Sequence, residues 1–187
     1  MVKIWGTVGA ITSLVLVASC SGTGAAKDHA APTIDKSYVF GSAAPAWTYD
    51  AAQVPAGSRA KVVVTPLSGD RTQVNLEVSG LQANRPYGAH VHVKPCGATG
   101  DAAGPHYQNT KDPVTPSVDP KYANPKNEVW LDLTTDGSGN GSAHSVVDWR
   151  VRPGQAGSIV IHKEHTQTHA GHAGTAGARL ACVDVPF

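Results

Sequence analysis

Thr72-Gln73-Val74-Asn75-Leu76-Glu77-Val78-Ser79 decides the class of fold, because polar and apolar side chains alternate along it. Period-two alternation puts Val74, Leu76 and Val78 on one face of an extended chain, the pattern of a half-buried strand. Ser68-Gly69-Asp70 is a turn signal, and Arg59-Ala60-Lys61-Val62-Val63-Val64-Thr65-Pro66-Leu67 reads as the preceding strand, so the pair forms a hairpin. Outward from it, further strands are expected at 88–93, 129–133, 142–147, 158–161 and 180–185, with the turn Asp136-Gly137-Ser138-Gly139-Asn140-Gly141 between two of them. The 20 Gly and 13 Pro fit a turn-rich chain, and no segment offers an amphipathic helix longer than two turns. The expectation is an all-β antiparallel barrel or sandwich. Residues 94–126, rich in Pro, Asn and Asp, are too long for an idle connection and are expected to carry function.

At the N-terminus, Lys3 precedes an apolar stretch at 4–17 and then Val17-Ala18-Ser19-Cys20. Such a stretch is short for a membrane span and reads as a signal peptide. Val-Ala-Ser-Cys resembles a bacterial lipobox, which would make Cys20 a lipidated first residue; an ordinary secretory leader with an incidental cysteine is the alternative. The expected organisation is a lipoprotein signal peptide at 1–19, a lipidated N-terminus and flexible tether at 20–40, and the folded domain at 41–187. The domain would then sit on the outer face of a bacterial cell membrane, anchored by lipid. Formal charge is +1, which argues against a nucleic-acid partner and makes any attraction for an anion local. Cys96 and Cys182 remain as an even pair in an exported chain, which suggests one disulfide.

Nine histidines are present. His90-Val91-His92 is the sharpest feature: on a strand, residues i and i+2 share a face, so two imidazoles stand side by side. Imidazole suits copper and zinc. His106, behind Gly104-Pro105, and His162, closing the apolar run Ser158-Ile159-Val160-Ile161, are candidate further ligands. Taken singly, each also fits an ordinary exposed histidine.

Gly88-Ala89-His90-Val91-His92, Gly104-Pro105-His106-Tyr107, Ile159-Val160-Ile161-His162 and Gly177-Ala178-Arg179-Leu180-Ala181-Cys182, in that order, resemble the motifs of the copper/zinc superoxide dismutases. The resemblance spans about residues 60–185. It implies a Greek-key β-barrel of about eight strands with two long loops, copper held by His90, His92, His106 and His162, and a disulfide between Cys96 and Cys182. It implies Arg179 as the guide for superoxide. It also implies His106 as a catalytic ligand that leaves the reduced copper and takes a proton.

The chain departs from the family at its zinc site. No histidine lies between Tyr107 and Ala143, Asn127-Glu128 stands where the family has Gly-Asp, and the linking aspartate of the 163–178 loop is missing. The resemblance is therefore closest to a copper-only branch, with the zinc site expected absent. Glu128 is the candidate for orienting a histidine ligand, or else a solvated residue at a strand start. His165, His169 and His172, in His165-Thr166-Gln167-Thr168-His169-Ala170-Gly171-His172, fit either a secondary metal-loading site or a polar loop. The function expected is an extracytoplasmic copper-dependent superoxide dismutase. The alternative is a copper-holding lipoprotein with little turnover.

Overall fold

The computed structural model describes residues 1–6 and 33–187. Residues 7–17 of the apolar stretch expected to be a signal peptide, and Cys20, lie outside the described residues. Ten strands follow in chain order: β1 Ile34–Val39, β2 Ser42–Ala43, β3 Ala46–Thr48, β4 Arg59–Leu67, β5 Arg71–Ser79, β6 Pro86–His92, β7 Leu133–Thr134, β8 Gly141–Val147, β9 Ser158–His162 and β10 Arg179–Asp184. Among the described residues the one helical piece is a single 3-10 turn at Gly100–Ala103. Two antiparallel sheets result, a four-stranded one ordered β1-β4-β5-β8 and a six-stranded one ordered β2-β3-β10-β9-β6-β7. The chain leaves the first sheet after β5, builds β6 and β7 on the second, and returns as β8 beside β5.

The hairpin runs in continuous register from Arg59↔Ser79 to Leu67↔Arg71. Val74 and Leu76 point inward and are fully buried. They meet Ala89, Val91, Ile159 and Ile161 from the facing sheet in one core. Complete burial of a side chain such as Leu76 contributes roughly 1.5–3 kcal/mol.

Two expectations are revised. The tether reaches less far than residue 40, because Ile34–Val39 is strand β1, paired with β4 from Ile34↔Val64 to Val39↔Arg59. Asp35, Lys36 and Ser37 are exposed and resemble tether, and only Tyr38 is buried. This edge strand is made by backbone pairing, which its side chains hardly signal. The strand expected at 129–133 is recognised as strand only at Leu133–Thr134. Upstream the chain stays beside β6, with Leu131 N–H donating to the Ala89 carbonyl at 2.8 Å and Trp130 bridging His90.

The segment between β6 and β7 is the long loop, and it is cross-braced. Cys96 and Cys182 form a disulfide that ties its start to β10. Asn127 fastens its far end, donating to the carbonyls of Thr110 and Tyr122 and accepting from the Thr110 N–H. Trp149 donates to the Lys126 carbonyl at 2.8 Å, and its ring lies 5.6 Å from that of Tyr107.

The disulfide closes a loop with a sequence separation of 86 residues. Loop-closure entropy for that length is about 4–5 kcal/mol. The double change Cys96→Ala and Cys182→Ala should therefore lower unfolding free energy by about that amount, measured from denaturant midpoints and slopes. A loss of under about 1 kcal/mol would show that the loop is braced without it.

Candidate metal centre

The site grows from one row of backbone pairing. In the six-stranded sheet Gly88 pairs with His162 across β6 and β9, and His162 pairs with Arg179 across β9 and β10. His90 and His92 share the face of Gly88, while Val91 turns into the core. The histidines thus stand on the outer face of this sheet, beneath the two long loops. Gly88 permits that cover: a Cβ there would lie 2.6 Å from the Glu164 carbonyl oxygen and 2.8 Å from Ala176 Cβ. A register shift between Arg179 and Ala181 bulges β10, the device by which strands re-aim side chains beside functional sites.

His106 comes from the long loop, which runs antiparallel to β6 at this point. Val93 N–H donates to the Pro105 carbonyl at 3.1 Å, and Tyr107 N–H donates to the Val91 carbonyl at 2.8 Å. His106 therefore sits directly beside His92. Ligand atoms of His90, His92, His106 and His162 all lie within 4.8 Å of one another.

Hydrogen bonds fix which nitrogen of each ring faces inward. Thr166 Oγ1 donates to Asp132 Oδ1 at 2.6 Å, so it must accept from His90 Nε2–H, 2.7 Å away. His90 Nδ1 then carries the lone pair, and this buried atom has no hydrogen-bond partner. His92 Nδ1–H donates to the Gly104 carbonyl at 2.9 Å, His106 Nδ1–H donates to Glu128 Oε2 at 2.8 Å, and His162 Nδ1–H points at the Gly177 carbonyl at 3.4 Å. Three Nε2 atoms and one Nδ1 atom thus converge with free lone pairs. His92 Nε2 and His162 Nε2 approach to 3.3 Å, a contact of two acceptors that a cation between them resolves. The donor set fits a copper ion, for which imidazole is a suitable ligand.

Burial drives the electrostatics. His90 and His92 are held well below the ordinary imidazole value, first by desolvation and then by neighbouring histidines. His162 is lowered to about 3, mainly by burial. Desolvation also lowers Arg179, against the opposing influence of Asp101. Arg179 Nη1 donates to the Gly100 carbonyl at 2.8 Å. Together with His106 and His162 it borders a cavity of about 830 Å³ above the cluster.

Glu128 is 1 % exposed. Besides His106 it accepts from Trp130 Nε1–H and Gln108 Nε2–H, both at 2.7 Å. Sequence reasoning missed Asp132, which receives both the hydroxyl and the backbone N–H of Thr166. The signal was present: Glu128, Trp130 and Asp132 alternate with the buried Val129, Leu131 and Leu133, so one face of the extended segment serves the site. His165 bonds the Leu133 carbonyl at 2.9 Å.

The family described as copper/zinc superoxide dismutase (SODC) matches residues 58–185. The chain belongs to this family. Among the solved structures that resemble it are a double mutant and a single mutant of a SOD-like protein from Bacillus subtilis. Each is 14 % identical, with TM-scores of 0.52 and 0.53, covering 68 % of this chain and 88 % and 90 % of theirs. At that identity they bear on the fold alone. No curated protein matches.

Two predictions concern the centre. In metal-free protein the lowered histidines stay neutral in the fold but take protons in the unfolded chain below about pH 6.5. The unfolded state then binds more protons, so stability falls as pH drops from about 6.5 toward 3, by roughly 1.4 kcal/mol per pH unit for each such histidine. Denaturant unfolding of the metal-free protein between these pH values checks it; a flat profile contradicts it. Thr166→Val removes the acceptor of His90 Nε2–H and should weaken copper retention about 10–100-fold, measured by competition with a chelator. Unchanged retention would show that Thr166 does not orient the ring.

Proposed function

We propose that this chain is a copper-dependent superoxide dismutase working outside the cytoplasmic membrane, held there by lipid on Cys20. The observation that carries the reading is the convergence of four imidazole lone pairs beneath a cavity bordered by Arg179. Family membership supports this activity and superoxide as the substrate. The leader motif ending at Cys20 supports export and anchoring.

Copper, when bound, supplies one-electron exchange with superoxide, which zinc does not offer. The chain's own residues supply the rest. Arg179 presents a planar, permanently charged guanidinium to a small anion. Its bond to Gly100 holds it at the cavity wall, where local attraction replaces the missing net charge of the protein. His90, His92 and His162 are buried and fixed by partners on their outer nitrogens. His106, with 16 % of its side chain exposed, is the most exposed of the four rings. Glu128 accepts from its Nδ1–H. The same contact supports a copper-only site, since the outer nitrogen of His106 is already engaged by a carboxylate.

Copper-loaded protein should consume superoxide in proportion to its tightly held copper, with no stoichiometric zinc by elemental analysis. Mass mapping of residue 20 in the same membrane preparation checks the anchor. Arg179→Ala should lower activity about tenfold at low salt, leave copper content and the Cu(II) spectrum unchanged, and weaken the dependence on ionic strength. Full activity with unaltered salt dependence would remove Arg179 from substrate capture. Tight copper without turnover would leave a copper-holding lipoprotein of the same fold.

A further inference from the structure

His169 and His172 take no part in the centre described above. Both are exposed. They flank Ala170 and Gly171 in a tight turn closed by the His172 N–H donating to the His169 carbonyl at 3.1 Å. Gly171 sits at φ +81°, a conformation that side-chain-bearing residues rarely adopt. The turn brings the two imidazoles together, with ring centroids 4.8 Å apart and planes tilted by 39°. Ring pairs in the buried four-histidine cluster range from 4.0 to 6.5 Å. The exposed pair therefore has the spacing of two rings that can share one ion.

The turn is also anchored. Gly171 N–H donates to the Val118 carbonyl at 3.1 Å, Gly174 N–H to the Gln167 carbonyl at 2.9 Å, and Gln167 N–H to the Thr175 carbonyl at 2.8 Å. A fixed base means that little chain ordering opposes binding by both rings. Val118 and Gly174 border the cavity above the buried histidines, which places the turn beside that cavity.

We propose that His169 and His172 form a second, exposed and exchangeable copper(II) site that receives the ion on its way to the buried histidines. Two neutral ring nitrogens leave the other coordination positions to water. Among first-row divalent ions, copper(II) gains most from nitrogen donors. With two protein ligands in water, against four in a buried cluster, this ion exchanges where the other is retained. The supply role rests on the reading of the four-histidine cluster as a copper centre; the exposed site itself does not.

The test uses the full chain purified in detergent and dialysed against copper(II). The parent should hold about two coppers, one of them removed by a brief wash with a weak chelator. His169→Ala with His172→Ala, both surface changes, should hold about one, which resists the wash. Electron paramagnetic resonance should show a second nitrogen-coordinated copper(II) signal in the parent and lose it in the double variant. His162→Ala should keep the washable copper, which separates failure of the buried centre from failure of this site. A parent with no washable copper, or a double variant that still has it, overturns the site. Filling of the buried centre under limiting copper should slow severalfold in the double variant; an unchanged rate overturns the supply role.

Discussion

Four imidazole lone pairs can point at one place only if each ring's other nitrogen has somewhere to give its proton. That requirement organises the site. The acceptors are a hydroxyl for His90, carbonyls for His92 and His162, and a carboxylate for His106. Each acceptor fixes a tautomer as well as an angle. Buried rings without such partners would each leave a polar N–H unpaired, at a cost of about 1–3 kcal/mol.

Backbone pairing supplies this geometry more than side-chain packing does. The Gly88, His162 and Arg179 row is set by the registers of β6, β9 and β10. His106 is brought to His92 by two backbone bonds between the loop and the end of β6. The opposite face of the same strands is apolar and closes the core against the hairpin sheet. Strand alternation thus lets one segment serve core and site at once. Val91 can be buried for stability while its neighbours stand ready for a ligand.

How much of this was legible depended on whether residues declared their role within a few positions. Val74, Leu76 and Val78 announce a half-buried strand, and His90-Val91-His92 announces a shared face. Strand β1 did not announce itself, because Asp35, Lys36 and Ser37 face solvent and its pairing uses only backbone atoms. Asp132 was hidden for another reason. Its partner Thr166 is 34 residues away, and no local pattern ties an aspartate near β7 to a threonine in the last long loop. Glu128 was visible only as a departure from a family pattern; its bonds to Gln108 and Trp130 emerge from the fold.

The two carboxylates act on their rings differently, and this sets the four histidines apart. Asp132 reaches His90 through the Thr166 hydroxyl, so its charge is one hydrogen bond removed from the ring. Glu128 touches His106 Nδ1 directly, with its other bonds satisfied by neutral donors. A direct carboxylate partner in a buried setting compensates a positive ring far better than a neutral hydroxyl does. His90 and His92 have no exposed surface at all, so neither can trade a proton with the cavity. His106 combines partial exposure with a counter-charge. The one histidine delivered by the loop is thus the ring paired directly with a carboxylate and partly open to the cavity, while the three carried on strands are buried.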